Sequence, residues 1–205
     1  MDIVIQPIEQ TSYSYEDVAS FLHTVFQERL DQGLSFTTSR MSSEDFRLRG
    51  ETGIVLVAFD PQNHQLLGTG MTHFRKDADG SLYADEEHKG VLPNMKRRGI
   101  GSLLERELQH IAQEKGALFI ISDTAVRAKS SILFHLKNGF FKWKLTSYPS
   151  TSYYSYVFRK QLHPDRKWDN PIYRKLFFLH SCIKTLIEKK RDGSNRKVFR
   201  LVKHQ

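Results

Sequence analysis

The chain has 205 residues, enough for one globular domain with a full hydrophobic core and a short appendage. Hydrophobic residues make up 39% and charged residues 26%, which is typical of a soluble globular protein and argues against disorder. The 31 Lys and Arg residues outnumber the 23 Asp and Glu residues, giving a net charge of +8. Such a balance favours anionic partners: nucleic acid, a phosphorylated cofactor or an acidic membrane surface.

The sequence predicts a cytoplasmic protein. No apolar run approaches the roughly 20 residues that cross a bilayer. The N-terminal stretch lacks the basic start and apolar core of a signal peptide. The single cysteine, Cys182, cannot form an internal disulfide, which fits a reducing compartment.

The first half of the chain predicts strands and helices in alternation. Residues 2–8 alternate apolar and polar, which favours a strand. Apolar residues then recur at helical spacing from Ser14, and Gly33 can end that helix. A second, short helix is expected from the Ser42 capping pattern to Gly50. Three strands follow, over residues 53–60, 66–76 and 81–93.

The third of these strands has an unusual composition, because five charged or titratable residues, Asp85 to Lys89, follow one another. Local conflicts of this kind tend to mark functional sites. In a regular strand Asp85, Glu87 and Lys89 share one face, while Glu86 and His88 share the other. A β-bulge would change this assignment.

The second half predicts a β-α-β crossover followed by an aromatic β-hairpin and a basic tail. Residues 105–116 favour a helix, 117–122 a buried strand and 130–140 another helix. Aromatic strands follow over 140–148 and 152–162, and then an amphipathic helix over 170–193 and a final strand over 197–203. We therefore divide the chain into a mixed α/β domain, 1–162, and a basic amphipathic C-terminal extension, 163–205.

The stretch "NMKRRGIGSLL", residues 94–104, places two glycines after three cations at the start of a predicted helix. Glycines there let a ligand approach the backbone, and a helix N-terminus attracts phosphate. A dinucleotide-binding fingerprint needs a third glycine where Leu104 stands. A Walker A loop is absent as well, so neither of these two phosphate-binding motifs explains the stretch.

The longer segment "VLPNMKRRGIGSLLERELQHIAQEKG" resembles the acetyl-CoA-binding segment of the GNAT N-acetyltransferases. Val91 and Pro93 match the end of the family's preceding strand, and Gly99 and Gly101 match its glycines. Downstream, "SSILFHLKNGF" is similar to the family's second signature. The resemblance implies an α+β (mixed α/β) GNAT acyl-CoA N-acyltransferase fold, with a mostly antiparallel central sheet splayed in the middle and flanked by helices.

This resemblance implies acetyl-CoA as co-substrate and no metal. Lys96 stands where the family usually has Gln or Arg, and Ala128 stands where many relatives have an Asn that contacts CoA, so Ser130 is expected to replace it. The residues expected to bind the cofactor are Val91, Lys96, Arg97, Arg98, Gly99, Ile100, Gly101, Ser102 and Ser130.

For catalysis by direct attack, the expected general base is Glu87, with Asp85 next and His88 a further candidate. The expected acid is His135, which occupies the position of the family's tyrosine. Tyr153 and Tyr154 are alternatives for the acid. The acceptor is expected to contact Phe36, Arg40 and Tyr153.

The leading functional hypothesis is an N-acetyltransferase that moves an acetyl group from acetyl-CoA to a small-molecule amine. A similarity of "ERLDQGLSF" and the basic tail to GNAT proteins of bacterial polysaccharide loci adds amino sugars as an acceptor class. Two alternatives remain open: a non-catalytic GNAT-like binding or regulatory domain, and a basic membrane-surface protein acting through the tail. Nucleic acid is not an expected partner, because the tail lacks a recognised module. A homodimer packed through the apolar stripe of the tail is a further possibility.

Overall fold

A computed structural model describes residues 2–31, 38–148, 151 and 153–191 of the chain, with the backbone alone for 189–191. The described part contains one seven-stranded sheet and five α-helices. The strands are β1 (Val4–Pro7), β2 (Ile54–Asp60), β3 (Gln65–Lys76), β4 (Leu82–Val91), β5 (Phe119–Ala125), β6 (Phe141–Ser147) and β7 (Tyr154–Gln161). The helices are α1 (Tyr15–Asp31), α2 (Ser43–Thr52), α3 (Ile100–Glu114), α4 (Lys129–Lys137) and α5 (Pro171–Arg191).

The strands lie in the order β1-β2-β3-β4-β5-β7-β6, and β4 and β5 form the parallel pair. Every other neighbouring pair is antiparallel. Helix α3 makes the crossover that a parallel connection requires. The structure confirms the predicted fold class: a mostly antiparallel sheet flanked by helices, with a C-terminal helix.

Both faces of the sheet are buried, which explains the continuous apolar run of β2. Val55 and Val57 pack against α1 and α2, in a cluster with Leu22 and Phe46. The alternate residues of β2 point to the opposite face, where they pack against α3; that cluster includes Leu56, Ala58, Ile100, Leu104 and Leu108. The two helical layers thus fix α1, α2 and α3 relative to the central strands.

The central strands β4 and β5 pair over only four residues each, from the Tyr83–Phe119 pair to the Glu86–Ser122 pair. Beyond that point β4 continues to Val91 with β3 as its partner, and β5 continues to Ala125 with β7 as its partner. The sheet is therefore split at its centre, as the predicted fold requires.

A β-bulge in β4 changes the predicted faces of its charged residues. Glu87 pairs with Met71 and Gly90 pairs with Thr69, so two residues of β4, His88 and Lys89, lie opposite a single residue of β3. His88 adopts the left-handed conformation, with φ of 52°. Lys89 consequently lies on the face of Glu86, and His88 lies on the face of Glu87, contrary to the assignment for a regular strand.

The C-terminal segment packs onto the β6 edge of the sheet. Thr185 Oγ1 donates a hydrogen bond of 2.8 Å to the Leu145 carbonyl, and the Leu145 N–H donates one of 3.1 Å to Ser181 Oγ. The guanidinium carbon of Arg159 lies over the Trp168 ring, 4.4 Å from the ring centroid. The division at residue 162 stays a prediction, while the predicted strand over 197–203 and the helix end at Gly33 lie outside the described residues.

Within the described residues, no helix combines the length and apolar character needed to cross a membrane.

Trp168 is expected to hold this segment in place, because it is 7% exposed and contacts Trp143 and Phe177 with ring centroids 6.0 Å and 5.0 Å away. Trp168→Ala should lower the free energy of unfolding by about 3–5 kcal/mol, measured by urea denaturation. The control is Leu176→Ala, at a residue 62% exposed on the same segment, which should change it by less than about 0.5 kcal/mol. Equal effects of the two substitutions would contradict this role.

Candidate active site

A cavity of about 360 Å³ lies at the split between β4 and β5. Its walls come from both strands at and beyond the point where they separate, the C-terminal turns of α1 and α2, helix α4 and the segment before β7. A volume of this size suits a small molecule. The split therefore produces a concave site near the middle of the sheet.

Four acidic residues line this cavity: Asp85, Glu86 and Glu87 on β4 and Asp123 on β5. The Glu86 side chain is fully buried against Lys89, which leaves Asp85, Glu87 and Asp123 as the carboxylates open to a ligand. The Asp85 carboxylate is 2.9 Å from Arg75 Nε. Glu87 is held more firmly, since its carboxylate oxygens lie 2.8 Å from Arg49 Nη1 and 3.4 Å from Arg75 Nη2. The cavity thus has an acidic wall that can receive a cation.

The environments of these carboxylates push their pKa values apart. Enclosure and the nearby charge of Glu87 raise the pKa of Asp85 to about 6. Burial alone would raise the pKa of Glu87, but the hydrogen bond and charge of His88, with the charge of Arg49, outweigh burial and lower it to about 2. Enclosure by the cavity walls also raises the pKa of the solvent-accessible Asp123. A base working near neutral pH needs a pKa near neutrality, so this geometry favours Asp85 over Glu87.

The contacts of His88 do not favour it as the general base. Its Nδ1 lies 2.8 Å from Thr38 Oγ1, and its ring packs edge-on against Phe46 at a centroid distance of 5.8 Å. Its other ring nitrogen faces Glu87 at 3.3 Å. These contacts make His88 a support for the Glu87 carboxylate.

A buried ion triad lies behind the cavity. The Lys89 ammonium is bound between the carboxylates of Glu86 and Glu105, with a distance of 2.5 Å to Glu105 Oε2. Both carboxylate side chains are fully buried. Burial opposes the charge on Lys89, but the two carboxylates outweigh it and raise its pKa. Burial and the neighbouring Glu105 raise the pKa of Glu86. The triad joins β4 to α3 through the bulge.

His135, the predicted acid, lines the cavity from α4 but is 3% exposed. It stacks on Phe158 with centroids 4.6 Å apart, and its Nδ1 lies 2.7 Å from the Ser131 carbonyl oxygen. Burial and the nearby Lys89 cation lower its pKa to about 4. The neutral ring donates its Nδ1 proton to the Ser131 carbonyl, which leaves Nε2 as an acceptor. This arrangement does not fit the predicted proton donor.

Of the three residues predicted to bind the acceptor, the described structure places one, Tyr153, in the cavity lining. Tyr153 lines the cavity and is 9% exposed, and burial raises its pKa to about 12. Arg40 ends a short 3-10 turn, Thr38–Arg40, and is exposed outside the cavity lining. Phe36 lies outside the described residues.

Asp123, Arg29 and Arg49 line the cavity and were not predicted from the sequence. The two arginines come from the last turns of α1 and α2. Asp123 is the residue directly after the predicted buried strand 117–122, and the structure includes it in β5. Its place, directly after "ALFIIS", is the one sequence signal that could have identified it, since polar residues at the end of a buried strand often belong to a site.

The glycine-rich stretch forms an open helix N-terminus. Gly99 is the N-cap of α3, with φ of 88°, and it supplies no side-chain cap. Arg97 also has a positive φ, 67°. The first turn of α3 contains no acidic residue, whereas α1 and α2 carry two acids each in theirs. The first amides of a helix lack intrahelical acceptors, so Ile100, Gly101 and Ser102 present N–H groups to an anion.

The three cations before the helix differ in their partners. Lys96 Nζ is 3.0 Å from Glu28 on α1. Arg97 and Arg98 are exposed and form no ion pair with any residue in the described part of the chain. They are therefore available to an anionic ligand at the start of α3.

The other predicted cofactor residues differ in how close they lie to the start of α3. A Cβ on Gly101 would lie 3.1 Å from the Phe134 ring and 3.7 Å from Val91, so α3, α4 and β4 converge at that glycine. Ser130 is exposed near the start of α4, while its neighbour Ser131 lines the cavity. In the described part of the chain, no group of three or more His, Cys, Asp or Glu side chains is arranged to hold a metal ion.

Comparison with known proteins places this architecture. No curated protein matches the sequence significantly. A chain of the NatC complex, in a structure bound to Gag peptide and CoA, superposes with a TM-score of 0.62 at 17% identity, over 80% of this chain and 100% of that one. A Salmonella typhimurium protein solved with its cofactor acetyl-CoA gives 0.60 at 16% identity, over 81% and 99%. A GNAT acetyltransferase from Staphylococcus aureus gives 0.60 at 15%, over 79% and 100%.

These likenesses support the fold. The sequence itself matches the profile of the acetyltransferase (GNAT) family over residues 17–140, which is more than half of the chain and includes both glycine-containing signatures. The split sheet, the open helix α3 and the profile agree, and the chain belongs to the GNAT acetyltransferase family.

Proposed function

We propose that this protein is an acyl-CoA-dependent N-acetyltransferase that transfers an acetyl group from acetyl-CoA to the amine of a small molecule. The observation that carries the proposal is the junction of two features. A cavity lined by the carboxylates of Asp85, Glu87 and Asp123, among others, opens at the split between β4 and β5, and α3, with its uncapped N-terminus, connects these same strands.

The start of α3 supplies the groups that would bind the pyrophosphate of acetyl-CoA. The free N–H groups of Ile100, Gly101 and Ser102 offer hydrogen bonds, and the positive end of the helix dipole adds to them. Arg97 and Arg98 add charge beside the same helix end. Beyond Glu86, the side of β4 that faces β5 has no partner strand, so its peptide groups can bind the extended arm of the cofactor.

The acidic wall supplies the groups for the acceptor. Asp85 and Asp123 would hold the ammonium form of the amine by charge, and Asp85 would take the proton that frees the nitrogen lone pair. The nitrogen then forms a bond to the thioester carbonyl carbon, and the carbon–sulfur bond breaks. The thiolate of CoA would leave and take a proton from Tyr148 or Tyr153, the phenol groups of the lining. The second proton that the nitrogen loses as it becomes an amide would restore that phenol.

An amino sugar is the acceptor class that we propose. The cavity lining combines the carboxylates with hydroxyl groups that can bind a hydroxyl-rich molecule: Thr38, Ser122, Thr124, Ser131, Tyr148, Thr151, Tyr153 and Ser155. Arg29 and Arg49 add donors on the helical side of the cavity. A lining of this kind suits a polar acceptor better than an aliphatic amine.

A non-catalytic binding domain is the second candidate, and His135 is the observation that favours it. The residue stands where relatives have a tyrosine, and in its neutral form it offers an acceptor in place of a proton donor. A protein of this kind would bind acetyl-CoA without releasing free CoA in the presence of any amine. Separate measurements of binding and of turnover therefore distinguish the two candidates.

Acetyl-CoA should raise the melting temperature, because a ligand that binds only the folded state stabilises it by about 2.7 kcal/mol at a concentration 100 times Kd. Gly101→Glu should abolish this shift by steric overlap and like charge at the start of α3. The control is Gln113→Glu, an exposed residue in the last turn of the same helix, which should keep the shift. If acetyl-CoA and longer acyl-CoAs leave the wild-type melting temperature unchanged, cofactor binding is refuted.

Asp85→Asn should lower kcat by about 10²- to 10⁴-fold, as expected for loss of a general base. In the wild type, kcat/KM should fall as the pH drops through about 6, because protonated Asp85 cannot accept a proton. Glu87→Gln should keep this limb but move it to lower pH, because the charge of Glu87 raises the Asp85 pKa. The release of the CoA thiol, followed with a panel of amino sugars and other amines, measures kcat and the pH dependence of kcat/KM. An unchanged pH profile in Asp85→Asn would contradict the assignment.

His135 should remain neutral at physiological pH, since its pKa is lowered to about 4. An NMR titration of the imidazole, identified by its absence in His135→Phe, should show no protonation above pH 5. Because the unfolded chain binds this proton near pH 6.5, stability should decrease as the pH falls from 6.5 to 4. Protonation of the folded protein near neutral pH would instead support His135 as the acid.

A further inference from the structure

Helix α5 has two apolar faces, and only one of them is packed against the sheet. The inner face carries Phe177, whose ring stacks 6.2 Å from Trp143, together with Ser181 and Thr185, which bond to the backbone of Leu145. The outer face carries aliphatic side chains that the fold leaves uncovered. This outer face is not needed for docking the helix.

The outer face forms one continuous stripe along the helix. Its five members recur at intervals of four, three, four and four residues, which keeps them on one side of an α-helix. Each is at least half exposed: Ile172 68%, Leu176 62%, Leu179 56%, Ile183 50% and Ile187 51%. Scattered exposed leucines are ordinary, but an aligned stripe of this length marks a surface that meets another apolar phase.

The charges around the stripe are almost all positive. Lys175 and Lys184 are exposed and lie on opposite sides of it by helical position. The helix contains one acid, Glu188, whose carboxylate is 3.9 Å from Lys184 Nζ. In sequence, the helix ends with three successive cations, at positions 189–191. The stripe is thus bordered by cations and lacks the alternating charges of a helix that pairs with its own copy.

These observations decide between two occupants. A second copy of the chain would place the same cations opposite one another, which costs free energy. An anionic lipid surface complements the cations and accepts the aliphatic side chains at the boundary between headgroups and acyl chains. We propose that α5 binds the protein peripherally to anionic membranes, lying flat on the surface through this stripe. The proposal does not depend on the enzymatic function.

Sedimentation of the full chain with vesicles tests the proposal. The protein should bind vesicles of phosphatidylglycerol and phosphatidylcholine at least about tenfold more tightly than vesicles of phosphatidylcholine alone, with weaker binding at high salt. Ile183→Glu should reduce binding about tenfold or more. Its matched control is Leu48→Glu, because Leu48 on α2 is also 50% exposed but lies outside the stripe. This control should bind as the wild type does.

A second variant separates lipid binding from self-association. Lys175→Glu with Lys184→Glu should weaken binding to anionic vesicles, whereas the same change would not weaken a dimer held by the apolar stripe. Sedimentation velocity and melting temperature check the oligomeric state and folding of every variant. The proposal is overturned if anionic vesicles do not bind the wild type, or if Ile183→Glu and Leu48→Glu bind equally. A dimer that Ile183→Glu dissociates, without vesicle binding, would assign the stripe to a second copy.

The third possible occupant of the stripe is the C-terminal segment of the chain itself, and a variant that ends at residue 191 tests it. If residues 192–205 fold onto the stripe, their removal should increase vesicle binding by uncovering it, and this would overturn membrane binding as the resting role of the stripe. Unchanged or moderately weaker binding of the shortened chain supports the proposal, because the removed segment contains four cations and one acid.

Discussion

The ion triad of Lys89 with Glu86 and Glu105 is the interaction on which the geometry of the site depends. It connects the bulge of β4 to α3 across the interior, where all the charges must be compensated. Glu105 is also bound by Gln109, whose other amide atom accepts a hydrogen bond from Lys160 on β7. One cation thereby links the acidic strand, the helix with the open N-terminus and the far half of the split sheet. Loss of the Lys89 cation would leave two buried carboxylates without their counterion, and breaking a buried pair in this way typically costs about 3–5 kcal/mol.

The bulge also sorts the charged residues of β4 into two groups with different tasks. Glu86 and Lys89 face α3 and are structural, while Asp85 and Glu87 face the cavity. If the same sequence ran as a regular strand, Lys89 would share the face of Asp85 and Glu87 and neutralise the acidic wall. A cation there would repel an ammonium acceptor and lower the pKa of the base. The bulged conformation of β4 therefore preserves the electrostatic character that an amine-binding site needs.

The sequence allowed the fold to be predicted because its local signals agree with one another. Turn residues such as Asp60 and Asp79-Gly80 lie between apolar runs, and the capping box at Ser42 begins α2 as expected. The faces of β4 could not be predicted, because nothing in "DEEHK" distinguishes a regular strand from a bulged one. Arg29, Arg49 and Asp123 were missed for another reason. All three meet only in three dimensions. Arg29 and Arg49 each have the pattern of a solvated surface residue, and only Asp123 carries a sequence signal, its place after a buried strand. The pKa of His135 depends on Phe158 and Lys89, which are also distant in sequence.

The short pairing of β4 with β5 gives the sheet two edges in its interior. The edge of an ordinary sheet lies at the periphery, where unpaired peptide groups can recruit another chain and cause aggregation. Here the unpaired peptide groups beyond Glu86 and Ser122 lie inside a cleft, with strands β3 and β7 behind them. A folded partner cannot enter such a cleft, but a narrow extended molecule with amide groups can. The fold thereby keeps the hydrogen-bonding capacity of an edge strand and excludes the partners that make an edge hazardous.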